Sequence, residues 1–447
     1  MKHSIILVVL VLLAACSGNA VHGEAGARVC RSGIYRAADG ETLVLTPTTN
    51  DGYRWRMLDG RTGALQQEDG QWRSTLGWTG EPDGFIADLA NCAGGELRLG
   101  PAEAPASFAR AHVQVVETGF ESDGVTLAGR LLMPPGGEAV PLAVFVHGSG
   151  DYSSREYEAY PWALAAQDVA VFVYDKRGTG ASEGRYTQDF HVLAADARAA
   201  LAEARRLAGD RASSTGFLGI SQGGWVAPLA ASRADVDFVV ALYGLLVTPL
   251  EEDRLEVMQS LAHAGWGEVE QARGAALSDA AGAVIASNFS HGFSELQRLR
   301  RQYREEPWYE DLEGEFTPEL LRYPGILLRM FGPMRNRGTT WNHDPLPVVR
   351  SLHVPQFWMI AANDTEAPPE VTVSRICALQ AEGLPIDLAI YPGADHGMVL
   401  TGRTGAAVRT TGHVHDYYPQ VAHWIRSRDL GYARAAGAQV HEAVRAP

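Results

Sequence analysis

Apolar and polar positions change their rhythm three times along this chain. From about Arg28 to Gly100 they alternate in short runs: Glu41-Thr42-Leu43-Val44-Leu45, then Tyr53-Arg54-Trp55-Arg56-Met57, then Gln71-Trp72-Arg73. Asn50-Asp51-Gly52, Asp59-Gly60 and Asp69-Gly70 separate these runs, and such dipeptides are hairpin signals. This predicts a small all-β barrel or sandwich over 28–106, with Pro101 to Pro105 as a linker at its end. Two further runs, Val113–Val116 and Val125–Leu132, read as antiparallel strands. Beyond them the pattern becomes short, wholly apolar runs separated by helical stretches, as buried parallel strands require. Examples are Leu142–Val146, Thr215–Leu218, Val240–Leu242, Gln356–Ala362 and Ile386–Tyr391. From about Thr248 to Trp341 no strand is legible and only helical spacing appears, as in Leu255-Met258-Leu261 and Leu296-Leu299. The prediction is an α/β chain over 107–447: a doubly wound, mostly parallel sheet with a helical cap inserted at about 248–341.

The candidate chemistry sits at the ends of the apolar runs. Gly219-Ile220-Ser221-Gln222-Gly223 is a G-x-S-x-G sequence directly after a strand, where a tight strand-to-helix turn leaves a serine exposed. Leu142–Val146 ends in His147-Gly148-Ser149-Gly150, a glycine-rich loop suited to donating an N–H. The backbone N–H groups of Ser149 and Gln222 are the expected oxyanion donors, each worth ~2.7–4 kcal/mol in such sites. His147 is expected to brace the loop. Downstream, Asp364 follows the strand ending at Ala362, and His396 lies in the loop after the next strand. A serine hydroxyl needs an imidazole to take its proton, and the imidazole needs a carboxylate to fix its tautomer. Glu366 rivals Asp364 as the acid, and His413, His415 and His423 rival His396, though these three fall in a stretch where solvated histidines are the default. Asp364 also has a plainer reading as a helix N-cap. The chain order Ser221, Asp364, His396 is the one expected of α/β-hydrolases.

The segment VFVHGSGDYSSREYEAYPWALAAQDVAVFVYDKRGTGASEG resembles bacterial α/β-hydrolase esterases related to the prolyl oligopeptidase and dienelactone hydrolase groups. The resemblance runs from roughly His112 to Trp424. It implies a serine esterase or acyl hydrolase acting on a small-molecule ester, with catalytic roles on Ser221, Asp364 and His396 and with no metal or organic cofactor. In such proteins the Asp175–Gly180 loop is structural. Aminopeptidase activity also fits the kinship, provided acidic residues grip a substrate amine. A thioesterase or lactone hydrolase would use the same machinery, and a surface lipoprotein that binds glycan or a partner is the non-enzymatic alternative. In the cap, Trp308, Tyr309, Phe316, Tyr323 and Phe331 are candidates either for an acyl pocket or for the cap's own core. Trp55, Trp72 and Trp78 suggest carbohydrate binding or, as the simpler reading, a small packed core.

Residues 1–15 resemble a lipoprotein signal peptide, with Lys2, an apolar run from Ile5 to Leu13, and Leu13-Ala14-Ala15 before Cys16. The run is too short to span a bilayer. The resemblance implies export, a lipid on Cys16 that anchors the N-terminus to a membrane, a tether over 16–27 and, with Ser17 after the cysteine, sorting to the outer membrane of a Gram-negative cell, facing the periplasm or cell surface. An ordinary secretory signal is the alternative. Export permits disulfides, and Cys30 and Cys92, near the two ends of the β segment, are expected to pair. Cys377 is expected to be a buried, inert thiol. The net charge of −15 over 447 residues, without a basic stripe, argues against a nucleic-acid partner.

Overall fold

The computed structural model describes residues 30–404 and 407–443. The signal segment 1–15 and the whole tether 16–27, Cys16 included, lie outside the described residues.

Eight antiparallel strands close into a barrel: β1 (Gly33–Arg36), β2 (Thr42–Pro47), β3 (Tyr53–Met57), β4 (Thr62–Glu68), β5 (Gln71–Leu76), β6 (Pro82–Asp88), β7 (Glu96–Pro101) and β8 (Ala106–Arg110). The alternation in β3 sends Tyr53, Trp55 and Met57 inward and leaves Arg54 and Arg56 on the outside. The β4–β5 turn takes positive φ at both Asp69 (49°) and Gly70 (79°), which matches the twist of the flanking strands. One expectation is corrected. Pro101 to Pro105 is no linker; it turns β7 into β8, and β8 pairs with β1 (Tyr35 opposite Arg110) to close the barrel. A proline-rich stretch can serve as either, and only the pairing beyond it decides.

Cys30 and Cys92 are disulfide-bonded, with Cα atoms 5.3 Å apart across 62 residues of chain. Closing a loop of that length restricts the unfolded chain by about 4 kcal/mol on the loop-entropy argument. Cys92→Ser is therefore expected to lower the urea midpoint markedly; an unchanged midpoint would remove this account of the barrel's stability. Cys377 is half-buried, not buried as expected.

The second body is a nine-stranded sheet. It opens with β9 (Gln114–Ser122) and β10 (Val125–Met133), antiparallel to each other. Then come β11 (Val140–Val146), short helices α1 (Ser154–Tyr157) and α2 (Tyr160–Ala165), β12 (Ala170–Tyr174), α3 (Phe190–Ala208), β13 (Ala212–Ile220), α4 (Gly223–Ala231) and β14 (Phe238–Leu242). Here the cap is inserted as α5 (Pro249–His263), α6 (Glu268–Ala286), α7 (Phe293–Tyr303), α8 (Thr317–Arg322) and α9 (Gly325–Arg335). The chain returns through α10 (Pro345–Arg350), β15 (Gln356–Ala361), α11 (Pro369–Ala381) and β16 (Ile386–Tyr391). It ends with β17 (Ala394–Asp395), β18 (Val399–Thr404), β19 (Ala407–His413), α12 (Tyr417–Ser427), α13 (Gly431–Ala435) and β20 (Gln439–His441). The sheet order is β20-β16-β15-β14-β13-β11-β12-β10-β9. From β11 the chain goes first to β12 on one side and then to β13 on the other. The crevice at the carboxyl ends of β11 and β13 is therefore the switch point where such sheets bind ligands.

The cap's core holds Leu296, Leu299, Trp308 and Phe316, and the buried row of α5 is Asp253, Val257 and Leu261; of the row read from sequence Leu261 is buried, while Leu255 and Met258 are only partly so. Buried Asp253 accepts from the backbone N–H groups of Phe316 (2.8 Å) and Thr317 (3.0 Å) and from the hydroxyls of Ser278 and Thr317 (both 2.5 Å). A carboxylate satisfied four times can sit in an apolar row, so it pins α5 to the start of α8.

A second correction concerns the C-terminal stretch. His413 is buried, not solvated, with its ring stacked 5.5 Å from Tyr417; burial, followed by the nearby Arg56, pushes its pKa down to about 3. It ends the β18–β19 hairpin, which docks onto the barrel through His413 N–H to the Gly60 carbonyl and Trp78 N–H to the Thr410 carbonyl, both 2.9 Å. Trp78 packs there between Arg54 and His413, while Trp55 and Trp72 go to the barrel core, so the three form no continuous sugar platform.

Candidate active site

Ser221 follows β13 at once and takes φ of 50°, a left-handed backbone that serine rarely adopts. The turn is held by Ser221 N–H to the Leu242 carbonyl at 3.1 Å. A side chain on Gly219 would strike the Gly223 carbonyl, and one on Gly223 would strike the Val146 carbonyl. The two glycines of G-x-S-x-G are thus required by close backbone approach, and the turn lifts the hydroxyl over the crevice.

The loops after β15 and β16 bring the other two residues to it. His396 Nε2 lies 3.1 Å from Ser221 Oγ, and its Nδ1 lies 3.0 and 3.1 Å from the two Asp364 oxygens. Asp364 is buried and its Oδ1 also accepts from the N–H groups of Glu366 (3.1 Å) and Ala367 (2.7 Å). Its helix-start role and its contact with the imidazole therefore coexist. Glu366 is largely exposed and stands 3.6 Å from Nε2, on the serine side of the ring. Burial opposes the charged form of His396, but the hydrogen bond and charge of Asp364, with Glu366 and Asp395, outweigh it and raise the pKa. Asp395 fixes the loop by accepting from His396 N–H (2.8 Å) and Thr365 N–H (2.9 Å). Under the ring lies Tyr243, centroids 5.0 Å apart, its hydroxyl 2.8 Å from that of Tyr160. His415 and His423 remain away from this group, His415 against Asp416 and His423 against Asp429.

Of the expected oxyanion donors, Gln222 is buried at the start of α4, where leading N–H groups lack helical partners. Ser149 is exposed in the loop after β11, and the preceding Gly148 packs against Ser221. His147 is buried with its ring 5.7 Å from Tyr152, and burial together with Lys176 holds it neutral, so it braces the loop by packing.

The structure also places groups here to which sequence reasoning gave no place at the site: Lys176 was read only as part of a structural loop, and Glu252 as an acid without a location. Lys176 lies beneath the loop. Glu252, Glu256 and Gln259 share one face of α5, at i, i+4 and i+7, and Gln259 donates to the Asp364 carbonyl at 3.1 Å. The one available signal was that spacing, unreadable without knowing which face meets the site. Phe316, Tyr323 and Phe331 line a cavity of about 220 Å³ together with Leu320, Leu328 and Trp341, whereas Trp308 and Tyr309 belong to the cap core. Glu315 and Gln188 lie on the same wall, and Gln188 reaches the Ser149 carbonyl at 3.5 Å.

Residues 137–305 match the family model Hydrolase_4, serine aminopeptidase S33. The matched span runs from just before β11 to just past α7 and takes in Ser221, but not Asp364 or His396. Among solved structures, the chain is similar to the esterase Pf2001 of Pyrococcus furiosus, at 16% identity, with 64% of this chain and 83% of that one covered and a TM-score of 0.42. It is likewise similar to the acylaminoacyl peptidase of Pyrococcus horikoshii (15%, 78% and 51%, TM-score 0.39). A third is Est1E of Butyrivibrio proteoclasticus with ferulic acid bound (18%, 62% and 90%, TM-score 0.37). No curated protein matches by sequence. The sheet order and the family match support a hydrolase of α/β-hydrolase fold, with a separate N-terminal β-barrel.

Proposed function

We propose that this protein is a serine hydrolase that cleaves carboxylic esters of short to medium acyl length through an acyl-enzyme. The observation that carries the reading is the continuous chain Ser221 Oγ, His396 and Asp364, with contacts of 3.1 and 3.0 Å. In this mechanism Ser221 Oγ attacks the ester carbonyl while His396 Nε2 takes its proton. The carbonyl electron pair moves onto oxygen and is held by the N–H groups of Ser149 and Gln222. On collapse the C–O bond breaks and the alkoxide leaves with the proton from His396. Water, activated by the same imidazole, then releases the acid and restores Ser221. Asp364 holds the imidazole tautomer and stabilises its cation. Export and a lipid on Cys16 remain part of the proposal, supported by the sequence alone.

A second reading is supported by the carboxylates over the site. Glu252, Glu256 and Glu315 form no ion pair with lysine or arginine among the described residues. Loss of water, then Asp253 and Glu315, push Glu256 up to about 9. Glu315 is open to the cleft, yet surrounding protein, then Asp253 and Glu366, raise it to about 7. A substrate bearing a free amine near the scissile carbonyl would relieve this crowding, as an aminopeptidase substrate does.

The deciding measurement sets p-nitrophenyl esters of increasing chain length beside aminoacyl p-nitroanilides. Ester turnover with a short-chain optimum is expected. Anilide turnover alone would replace the first reading by the second, and then Glu315→Gln should raise KM for the anilides.

A further inference from the structure

Lys176 occupies the second position after β12, and its side chain is buried. Its Nζ donates to the Gly148 carbonyl at 2.5 Å and to Gln222 Oε1 at 3.0 Å. Glu158, the buried acid whose charge favours the ammonium, is itself engaged by the Tyr152 hydroxyl at 2.6 Å. A buried ammonium is costly, and a hydrophobic residue of similar size would fill the space more cheaply. What Lys176 supplies in return is geometric. A trans peptide is planar, so the C=O of Gly148 and the N–H of Ser149 belong to one rigid unit and point in opposite directions. Anchoring that carbonyl below the loop aims the Ser149 N–H away from Lys176. Gly148 itself is pressed against the nucleophile: a Cβ there would stand 3.8 Å from Ser221 Oγ. The next carbonyl, of Ser149, is held by the Tyr186 hydroxyl, so both peptide units flanking Ser149 are clamped from the β12–α3 loop. The second acceptor, the Gln222 side chain, belongs to the residue whose N–H is the other expected donor.

We infer that Lys176 is a positioning residue that joins the two arms of the oxyanion site, fixing the Gly148–Ser149 peptide and the Gln222 side chain in one arrangement. The inference rests on the reading of Ser221 as nucleophile. It extends the role of the Asp175–Gly180 loop beyond holding strand ends together. That structural role falls to its neighbour Asp175, which accepts from Ser153 Oγ (2.8 Å), Arg155 Nε (3.0 Å) and Ala181 N–H (3.1 Å).

The test compares wild type, Lys176→Met, Lys176→Gln and Ser221→Ala in kcat and KM for p-nitrophenyl butyrate, with thermal melting to verify folding. It adds the Ki of a trifluoromethyl ketone, which adds to a serine oxygen and places its own oxyanion in the site. Lys176→Met should lower kcat about 100-fold, the scale of one lost oxyanion donor, with KM within about threefold and the ketone Ki raised by a similar factor to the loss in kcat. Lys176→Gln, whose amide still donates to the Gly148 carbonyl, should recover part of kcat. Wild-type kcat and Ki in Lys176→Met, beside an inactive Ser221→Ala, would overturn the inference and leave the nucleophile intact. Retained turnover in Ser221→Ala would overturn the nucleophile reading and this inference with it. Should Lys176→Met not fold, Lys176→Ala is assayed with and without propylamine. Restored kcat at unchanged KM supports the positioning role, and no restoration overturns it.

Discussion

Ser221→Ala is expected to reduce ester turnover by about 10⁵–10⁶-fold, the loss seen when a serine acting as one unit with its imidazole is removed. The expectation rests on three linked facts. Ser221 holds a left-handed backbone conformation that the fold must maintain against its own preference. Its hydroxyl is 3.1 Å from His396 Nε2. It also stands at the switch point of the sheet, beside the loop that follows β11. A fluorophosphonate probe should label the wild type and leave the variant unlabelled. Equal labelling would move the nucleophile elsewhere, and the exposed Ser149 would be the first place to look.

Asp364→Asn is expected to lower kcat by about 10⁴-fold, while Glu366→Gln changes it only a few-fold. The two carboxylates lie on opposite sides of the imidazole. Asp364 meets Nδ1 from a buried position, whereas Glu366 approaches Nε2 at 3.6 Å from solvent, where water screens it. An amide at 364 can present its NH₂ group to Nδ1 and so favour the wrong tautomer. The pH profile supplies a second check. Catalysis needs neutral His396, so kcat/KM should fall as pH drops through a pKa raised above the ordinary value. Asp364→Asn removes the charge and hydrogen bond that raise it, and the acid limb of the residual activity should move to lower pH. A severe loss in Glu366→Gln with a mild one in Asp364→Asn would reassign the acid.

Much of the architecture was legible because its determinants are local. Alternation in Tyr53–Met57 marks a one-faced strand, unbroken apolar runs such as Ala170–Tyr174 mark strands covered on both faces, and their disappearance after Leu242 marks the cap. The glycines around Ser221 announce a tight turn for the same reason, since the atoms they make room for are only a few residues away or on the adjacent strand. Two of the misread stretches are ones whose fate depends on a distant partner. Pro101 to Pro105 is a hairpin only because β8 finds β1, and His413 is buried between Trp78 of the barrel and Tyr417 and Tyr418 of α12.

By itself, then, the sequence determined the succession of strands and helices, the elbow at Ser221, and the order in which Ser221, Asp364 and His396 reach the ends of strands. Periodicity and turn chemistry act over a handful of residues, and a line of text preserves them. Only the tertiary structure decided that Asp364 rather than Glu366 faces Nδ1, that Gln259 of α5 reaches the Asp364 carbonyl, and that Lys176 reaches residues 28 and 46 positions away. Those outcomes depend on the angle at which separate elements pack and on which face of each turns inward, and no local pattern encodes either.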